Sequence, residues 1–170
     1  MPNILHGDTT PKLIFSLSNP YNQANGQSQG ICTAASLAWC KACLKLGRGV
    51  NSWAEVGLDV HLLNIQMATM RKLDSEPRRQ TELAGLVPVG PDKTLADLDT
   101  LFRETKNTAP YICIFWTSGH TMGYRYSHHE KEFFDMEQGL FRAKYTDGIK
   151  NEINKNYQNQ VIGMRLVKLP

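Results

Sequence analysis

The stretch Gly26-Gln-Ser-Gln-Gly-Ile-Cys-Thr-Ala-Ala-Ser-Leu-Ala-Trp-Cys-Lys41 sets the organisation of this chain. A polar loop with two glycines leads into Cys32, where an apolar pattern with helical spacing begins. The first turn of a helix carries unpaired backbone N–H groups and the positive end of the helix dipole, so it favours an anion. A thiol there ionises readily and becomes nucleophilic. The stretch therefore predicts a buried helix over about 31–46, with a reactive thiolate at its start.

The composition is that of an ordinary globular protein. With 170 residues, 41% hydrophobic and 21% charged, the chain supports one domain over 1–170 with a sizeable hydrophobic core. The formal net charge is +3, and the basic residues are scattered rather than gathered on one face, which argues against nucleic-acid binding. No run approaches the roughly 20 apolar residues of a membrane span. The first eight residues lack the pattern of a signal peptide, so we expect synthesis in the cytoplasm without a cleaved signal.

Only one of the four cysteines has a setting that favours reactivity. Cys40 and Cys43 have C-x-x-C spacing within the predicted helix, but no second pair completes a zinc site. Cys113 lies in an apolar run typical of a buried strand. We therefore interpret these three as core thiols and Cys32 as the candidate nucleophile.

The middle of the chain has the spacing of helices. Ser52 and Glu55 predict a capping box at the start of a second helix over about 52–73. Prolines and glycines over 74–92 predict a loop with one short helical turn. Thr94 is the predicted cap of a third helix.

The last third of the chain changes to short runs typical of strands, and residues 1–25 suggest mostly extended chain. The predicted strands are Tyr111–Trp116, Thr121–Tyr126, Glu132–Asp135, Gly139–Lys144 and Val161–Lys168. Helices followed by antiparallel strands predict an α+β fold with one mixed core.

A thiolate nucleophile needs a base, and His120 is the best candidate. It follows Ser118-Gly119 and opens a predicted strand, where a rigid sheet would hold its ring towards a cleft. If that strand pairs with the next one, Asp135 returns beside His120 and can orient its ring, with Glu137 as a second choice. His61 is expected to be a surface or core residue of a helix, and His128-His129 a surface pair in a turn.

The oxyanion of an acyl-transfer reaction needs two donors near the nucleophile. The backbone N–H of Cys32 is one by its position at a helix start. The second is expected from a side-chain amide in the preceding loop, where Asn25, Gln27 and Gln29 are available. The spacing alone leaves all three open; we favour Gln27, with Gln29 next.

Three blocks of the sequence together resemble a known family. They are Gly30-Ile-Cys-Thr-Ala-Ala-Ser36, Gly119-His120, and Phe133-Phe-Asp135 followed by Gly139 and Phe141. This order resembles the YopT/AvrPphB group of papain-like cysteine peptidases, which are bacterial effector proteins. The position of Gln27 also matches the oxyanion amide of that group. The proline that usually follows the aspartate is replaced by Met136.

The resemblance implies a papain-like fold, in which N-terminal helices with the nucleophile at the start of the first buried helix pack on a C-terminal antiparallel sheet. It implies a cysteine endopeptidase that uses Cys32, His120 and Asp135 and needs neither metal nor cofactor. The expected substrate is a protein inside a target cell, reached through a specialised secretion system. Similar blocks occur in toxin domains, so the chain could be the toxin domain of a larger effector with a cognate immunity protein as its inhibitor.

Two other classes of function fit the same residues. A deamidase, an amidase or a transglutaminase-like acyltransferase would use the same three side chains on glutamine side chains or peptidoglycan peptides. A non-catalytic binding module would use Cys32 only as a small buried residue of its helix.

Overall fold

The computed structural model describes residues 10–17, 31–57, 59–73, 76–105 and 110–170. These residues form a seven-stranded sheet with helices on both faces. In chain order the elements are β1 (Lys12–Ser16), α1 (Cys32–Leu46), a 3-10 turn (Trp53–Val56), α2 (Val60–Arg71), α3 (Pro77–Leu83), β2 (Val87–Thr94), α4 (Leu98–Thr105), β3 (Tyr111–Trp116), β4 (Thr121–Tyr126), β5 (Lys131–Asp135), β6 (Gly139–Ala143), α5 (Thr146–Tyr157) and β7 (Gly163–Lys168). No helix in these ranges is long and apolar enough to cross a membrane.

Helix α1 is the central helix of the fold, and its predicted bounds are confirmed. It begins at Cys32 and ends at Leu46, and the next residue, Gly47, has φ 70° and donates its N–H to the carbonyl of Cys43. A left-handed residue directly after a helix is a common glycine position, because glycine has no Cβ to clash there. The helix is buried along most of its length, so it lies between the sheet and the other helices of its layer.

The sheet has the order β1-β6-β5-β4-β3-β7-β2, and each neighbouring pair is antiparallel. Its two faces carry separate hydrophobic clusters. In β3, Ile112 and Ile114 belong to the cluster around α1, whereas Cys113 and Phe115 belong to the cluster around α4 and α5. Because both faces of β3 are covered, nearly every side chain in this strand is apolar. The expectation of a single mixed core is therefore wrong.

The predicted helix over 52–73 is divided into two elements. Gly57, with φ 81°, ends the 3-10 turn, and α2 begins only at Val60. The side chain of Ser52 makes no capping hydrogen bond, so the predicted capping box is absent from this described segment. The side chain of Asp59 caps α2 instead, by accepting a hydrogen bond from the N–H of Leu62 at 2.8 Å.

The predicted loop over 74–92 contains a helix, α3, and most of a strand, β2. Strand β2 pairs with β7 through Val87 and Val89, and the register shifts before Lys93. The strand is easy to miss because most of it is exposed and prolines interrupt it, as is typical of an edge strand. Thr94 ends β2 rather than capping a helix, and Asp97 takes that role for α4 by accepting from the N–H of Thr100 at 3.0 Å.

Helix α5 was not predicted from the sequence. Only Ile149 and Ile153 mark its buried face as apolar, and the helix also contains Gly148 and three asparagines. Strand β1, in contrast, agrees with the expectation of mostly extended chain over residues 1–25. Of the remaining residues of that range, the structure describes only Thr10, Pro11 and Leu17.

The close contact of α1 with β4 depends on one glycine. The ring of Trp39 lies directly over Gly123 and stacks on Phe134, with ring centroids 5.3 Å apart. A Cβ at Gly123 would lie 2.5 and 2.6 Å from two carbons of the Trp39 ring. The absence of a side chain at Gly123 therefore allows the helix to approach the sheet.

We expect Gly123→Ala to lower the free energy of unfolding by about 1–3 kcal/mol, because the added methyl group overpacks this contact. Urea unfolding followed by circular dichroism measures the change. The same substitution should cost less in a Trp39→Phe background, where the smaller ring leaves room. An equal cost in both backgrounds would show that the contact with Trp39 is not the reason for the glycine.

Candidate active site

The candidate nucleophile lies where α1 meets the sheet. Cys32 is the first residue of α1 and is only 2% exposed. The backbone N–H of Thr121, the first residue of β4, points at Cys32 Sγ from 3.4 Å. The sulfur thus sits at the positive end of a helix and receives a further backbone donor, and both features stabilise negative charge that develops on the sulfur during a reaction.

Two more hydrogen bonds fix the first turn of α1 against the same residue of β4. The hydroxyls of Thr33 and Thr121 lie 3.0 Å apart, and the hydroxyl of Ser36 donates to the carbonyl of Thr121 at 3.2 Å. The position of Cys32 relative to the sheet is therefore set by side chains on successive turns of one helix.

His120 directly precedes β4 and is held by the turn that joins β3 to β4. Its carbonyl accepts a hydrogen bond from the N–H of Thr117 at 2.9 Å. Its Nε2 lies 2.8 Å from Asp135 Oδ1, and the ring is only 9% exposed. The other ring nitrogen, Nδ1, is buried and has no hydrogen-bond partner within bonding distance among the described residues. Nδ1 is therefore the nitrogen available to exchange a proton with Cys32.

Asp135 ends β5, and its pairing geometry follows the prediction. Strands β4 and β5 are antiparallel, with Gly123 opposite Phe134, so the end of β5 returns to the start of β4. The Asp135 carboxylate is fully buried. A buried carboxylate is costly unless it is hydrogen-bonded, and His120 provides one of the required donors.

Three further donors complete the surroundings of this carboxylate. The backbone N–H of Glu137 donates to Oδ1 at 2.9 Å, while Gln138 Nε2 and the Tyr157 hydroxyl each donate to Oδ2 at 2.7 Å. With His120, four donors occupy the four acceptor positions of the carboxylate. Ligand atoms of His120, Asp135 and Glu137 lie within 4.8 Å of one another, but the donors leave Asp135 no lone pair to offer a metal ion.

The charges of His120 and Asp135 stabilise each other. Burial lowers the pKa of His120, but the hydrogen bond and charge of Asp135 and the neighbouring Cys32 thiol raise it to about 10 overall. Burial raises the pKa of Asp135, and the hydrogen bonds from His120, Tyr157 and the Glu137 N–H outweigh this and hold it below its ordinary value. An imidazolium facing a carboxylate is thus the favoured state of the pair at neutral pH.

Tyr157 contacts both members of the pair. Its ring stacks on the imidazole of His120, with centroids 5.4 Å apart and planes 24° from parallel. Burial, followed by the charge of Asp135, raises the pKa of Tyr157, so its hydroxyl remains a proton donor. Tyr157 therefore covers the imidazole while its hydroxyl anchors the carboxylate.

A cleft of about 150 Å³ opens at this site. It is lined on one side by Cys32 and Thr33 of α1, on another by Met67 and Gln80, and on a third by the turn from Trp116 to Thr121. Both Cys32 and His120 line the cleft, so a bound group can reach the sulfur and the imidazole together.

The remaining thiols lie apart from this cleft. Burial raises the pKa of Cys40 and Cys113, and it raises that of Cys43 to about 12. All three lie in the hydrophobic clusters, and no disulfide involves any cysteine of the described residues. Their interpretation as core thiols is confirmed.

The other histidine candidates lie on the surface. His61 is exposed on α2, and His128 and His129 are exposed in the turn between β4 and β5. Glu137, the second choice for orienting His120, is also exposed, and it contributes its backbone N–H to Asp135 instead.

The predicted oxyanion residues cannot be placed in this arrangement. Asn25, Gln27 and Gln29 all lie outside the described residues, so the choice between them stays a prediction. The site residues predicted from the sequence did not include Thr121, Gln138 and Tyr157. Gln138 had a detectable signal, since it lies three residues after Asp135 in the turn before Gly139. Tyr157 had no such signal, because the helix that carries it, α5, was not predicted from the sequence.

The arrangement has the parts needed for thiol-based acyl transfer. It combines a thiol at a helix start, a buried imidazole next to it, and a carboxylate that orients the ring. The catalytic roles of Cys32, His120 and Asp135 stay predictions, but the structure places these three side chains together.

The solved structures that resemble this chain include the avirulence protein AvrPphB of Pseudomonas, with a TM-score of 0.56 and 13% identity over 94% of this chain and 96% of that chain. Another is the ubiquitin-specific protease encoded by a murine cytomegalovirus tegument protein, in complex with a ubiquitin-based suicide substrate. It has a TM-score of 0.63 and 14% identity over 92% of this chain and 85% of that chain. No family model and no curated protein sequence matches this chain.

These likenesses establish the fold. The mixture of helices and antiparallel sheet is that of papain-like cysteine peptidases, so the predicted fold class is confirmed. At 13–14% identity the resemblance concerns the fold alone.

The paired charges predict a specific titration. We expect His120 to stay protonated at neutral pH and to titrate near pH 10, and Asp135→Asn to lower that pKa because a hydrogen bond and a charge that raise it are lost. A pKa above the ordinary 6.5 means that protonated His120 stabilises the fold. This stabilisation is complete below about pH 6.5 and is lost as the pH rises through about 10.

Nuclear magnetic resonance of ¹⁵N-labelled histidines measures this titration. Asp97→Asn is the matched control, because it removes an exposed carboxylate that caps α4 and should leave His120 unchanged. Titration of His120 near pH 6.5 in the wild type, or at the same pH in Asp135→Asn, would contradict the ion pair.

Proposed function

We propose that this chain is a cysteine endopeptidase. The observation that carries the proposal is the geometry at the start of α1. Cys32, at the positive end of the helix, lines one cleft with His120, whose far nitrogen is bound to the buried Asp135. A papain-like fold around these three residues supports the same chemistry.

The proposed reaction starts from a thiolate and an imidazolium. The proton of Cys32 resides on His120 Nδ1 in this proposed resting state, and Asp135 stabilises the imidazolium. The thiolate then attacks a peptide carbonyl, and the oxyanion accepts hydrogen bonds from the Cys32 N–H and from Gln27, or otherwise Gln29. As the C–N bond breaks, His120 protonates the leaving amine and a thioester remains on Cys32.

Water completes the cycle. His120, now neutral, accepts a proton from a water molecule, and the hydroxide attacks the thioester carbonyl. The carboxylic acid product leaves, and the Cys32 thiolate and the protonated His120 are restored. Asp135 keeps its charge throughout, which is why its four donors and complete burial matter.

The proposed substrate is a protein in a target cell, and the proposed biological role is that of a bacterial effector or toxin. The three sequence blocks shared with the YopT/AvrPphB group support this role. One structural neighbour was solved with a ubiquitin-based suicide substrate, which supports a protein substrate for this chain. A cognate immunity protein and export by a specialised secretion system complete the proposal, because an active peptidase endangers the cell that makes it.

Mapping of new protein N-termini in cells that express the chain tests the proposal. We expect the wild type to generate cleavage products that are missing with Cys32→Ala and with His120→Ala, since each variant lacks one partner of the proton transfer. Cys43→Ala is the matched control. It removes another α1 thiol, whose pKa burial raises to about 12, and should leave cleavage intact.

Two outcomes would contradict the proposal. Identical N-termini for wild type and Cys32→Ala would exclude Cys32 as the nucleophile. Intact target proteins whose mass rises by about one dalton per site would instead indicate deamidation through the same residues.

A further inference from the structure

A second cavity adjoins the candidate active site. It has a volume of about 270 Å³ and shares four lining residues with the cleft at Cys32. The shared residues are Thr33, Gln80, Trp116 and Thr121. The two cavities are therefore adjacent, and two of the shared residues, Thr33 and Thr121, directly follow Cys32 and His120 in the chain.

Trp116 lines both cavities. Its cross-strand neighbour on β7 is Gly163, where an added Cβ would lie 2.6 Å from the indole ring. The indole thus lies flat across the β7 backbone, and the guanidinium of Arg165 lies 5.4 Å from its centre. An aromatic surface held in this way suits the aliphatic stem of a long side chain.

The far end of the second cavity is an ion pair between Arg165 and Asp92. Arg165 is only 4% exposed, and its Nε and one Nη donate to the two oxygens of Asp92 at 2.7 and 2.6 Å. Its other Nη donates to the carbonyl of Pro77 at 3.1 Å and to the hydroxyl of Thr81 at 2.8 Å. Four of the five donors of the guanidinium are thus used within the protein.

Asp92 is the member of this ion pair that is exposed enough to contact a ligand. Its side chain is 33% exposed, against 4% for Arg165. A carboxylate offers about four acceptor positions, and Arg165 occupies two of them. About two acceptor positions of Asp92 therefore remain open at this end of the second cavity, against one donor of the more deeply buried Arg165.

We propose that this second cavity selects the substrate and takes a lysine or arginine side chain of the cleaved protein. The aliphatic stem lies on Trp116, and the cationic head donates to the open side of the Asp92 carboxylate. The inference rests on the proposed peptidase function, since it places the selected residue next to the bond that Cys32 attacks.

Peptide electrophiles that alkylate active-site thiols test the inference. A series of peptidyl acyloxymethyl ketones carries Lys, Arg, Leu or Glu at each of the last few positions in turn, and the rate of Cys32 modification is followed by mass spectrometry with peptide mapping. We expect one position at which Lys and Arg react at least about tenfold faster than Leu and Glu, the factor that a hydrogen bond to a charged group supplies.

Two variants sharpen the test. Asp92→Asn leaves the charge of Arg165 without its counter-ion, so the preference for Lys and Arg at that position should be lost and Glu should become the better residue. Glu82→Gln is the matched control, because it removes an exposed carboxylate from the same helix as Gln80 and should leave the profile unchanged. Thermal unfolding verifies that both variants are folded, and the wild-type profile alone decides the question if Asp92→Asn is not.

The outcomes separate this inference from the proposed function. Equal rates for all side chains at every position, with Cys32 still modified, would overturn the pocket and leave the peptidase proposal intact. A preference for Lys and Arg that survives Asp92→Asn would also overturn it. Failure of every compound to modify Cys32 would count against the peptidase proposal itself, and the pocket would fall with it.

Discussion

The contact between the first turn of α1 and Thr121 is the constraint on which the candidate site depends. Thr121 donates its N–H towards Cys32 Sγ, lies within hydrogen-bonding distance of Thr33 through its hydroxyl, and accepts from Ser36 through its carbonyl. Because His120 is the preceding residue, the same contact places the thiol and the imidazole together. A helix and a sheet far apart in sequence thus meet at one strand residue, and Gly123 lets Trp39 follow two turns later.

The strands on either side of the β3–β4 pair contribute the other residues of the candidate site and of the second cavity. Towards β5, the antiparallel hairpin brings Asp135 to His120, and Tyr157 of α5 binds the carboxylate from the other face. Towards β7, Trp116 and Arg165 extend the cleft into a second cavity. The residues that stabilise the charge of His120 and those of the proposed selectivity pocket therefore lie on opposite sides of the β3–β4 pair.

The sequence was informative where local chemistry decides the structure. The helix start at Cys32 and the strands around His120 and Asp135 follow from apolar spacing and glycine positions, so the three candidate residues could be predicted. Tyr157 could not, because the polar helix that carries it is stabilised by packing on the sheet rather than by its own pattern. Strand β2 was missed for a related reason: its exposed, proline-containing sequence becomes a strand only by pairing with β7. Asp92 was therefore not a candidate residue.

The central claim is that His120 activates Cys32 as a nucleophile. The most direct test is the rate at which iodoacetamide modifies each cysteine of the native protein near pH 7, measured by peptide mapping. If Cys32 is a thiolate paired with His120, it is modified well before Cys40, Cys43 and Cys113, and His120→Ala slows its modification several-fold. If Cys32 reacts no faster than the three core thiols, or at the same rate without His120, then it is a structural residue of α1 and the claim is wrong.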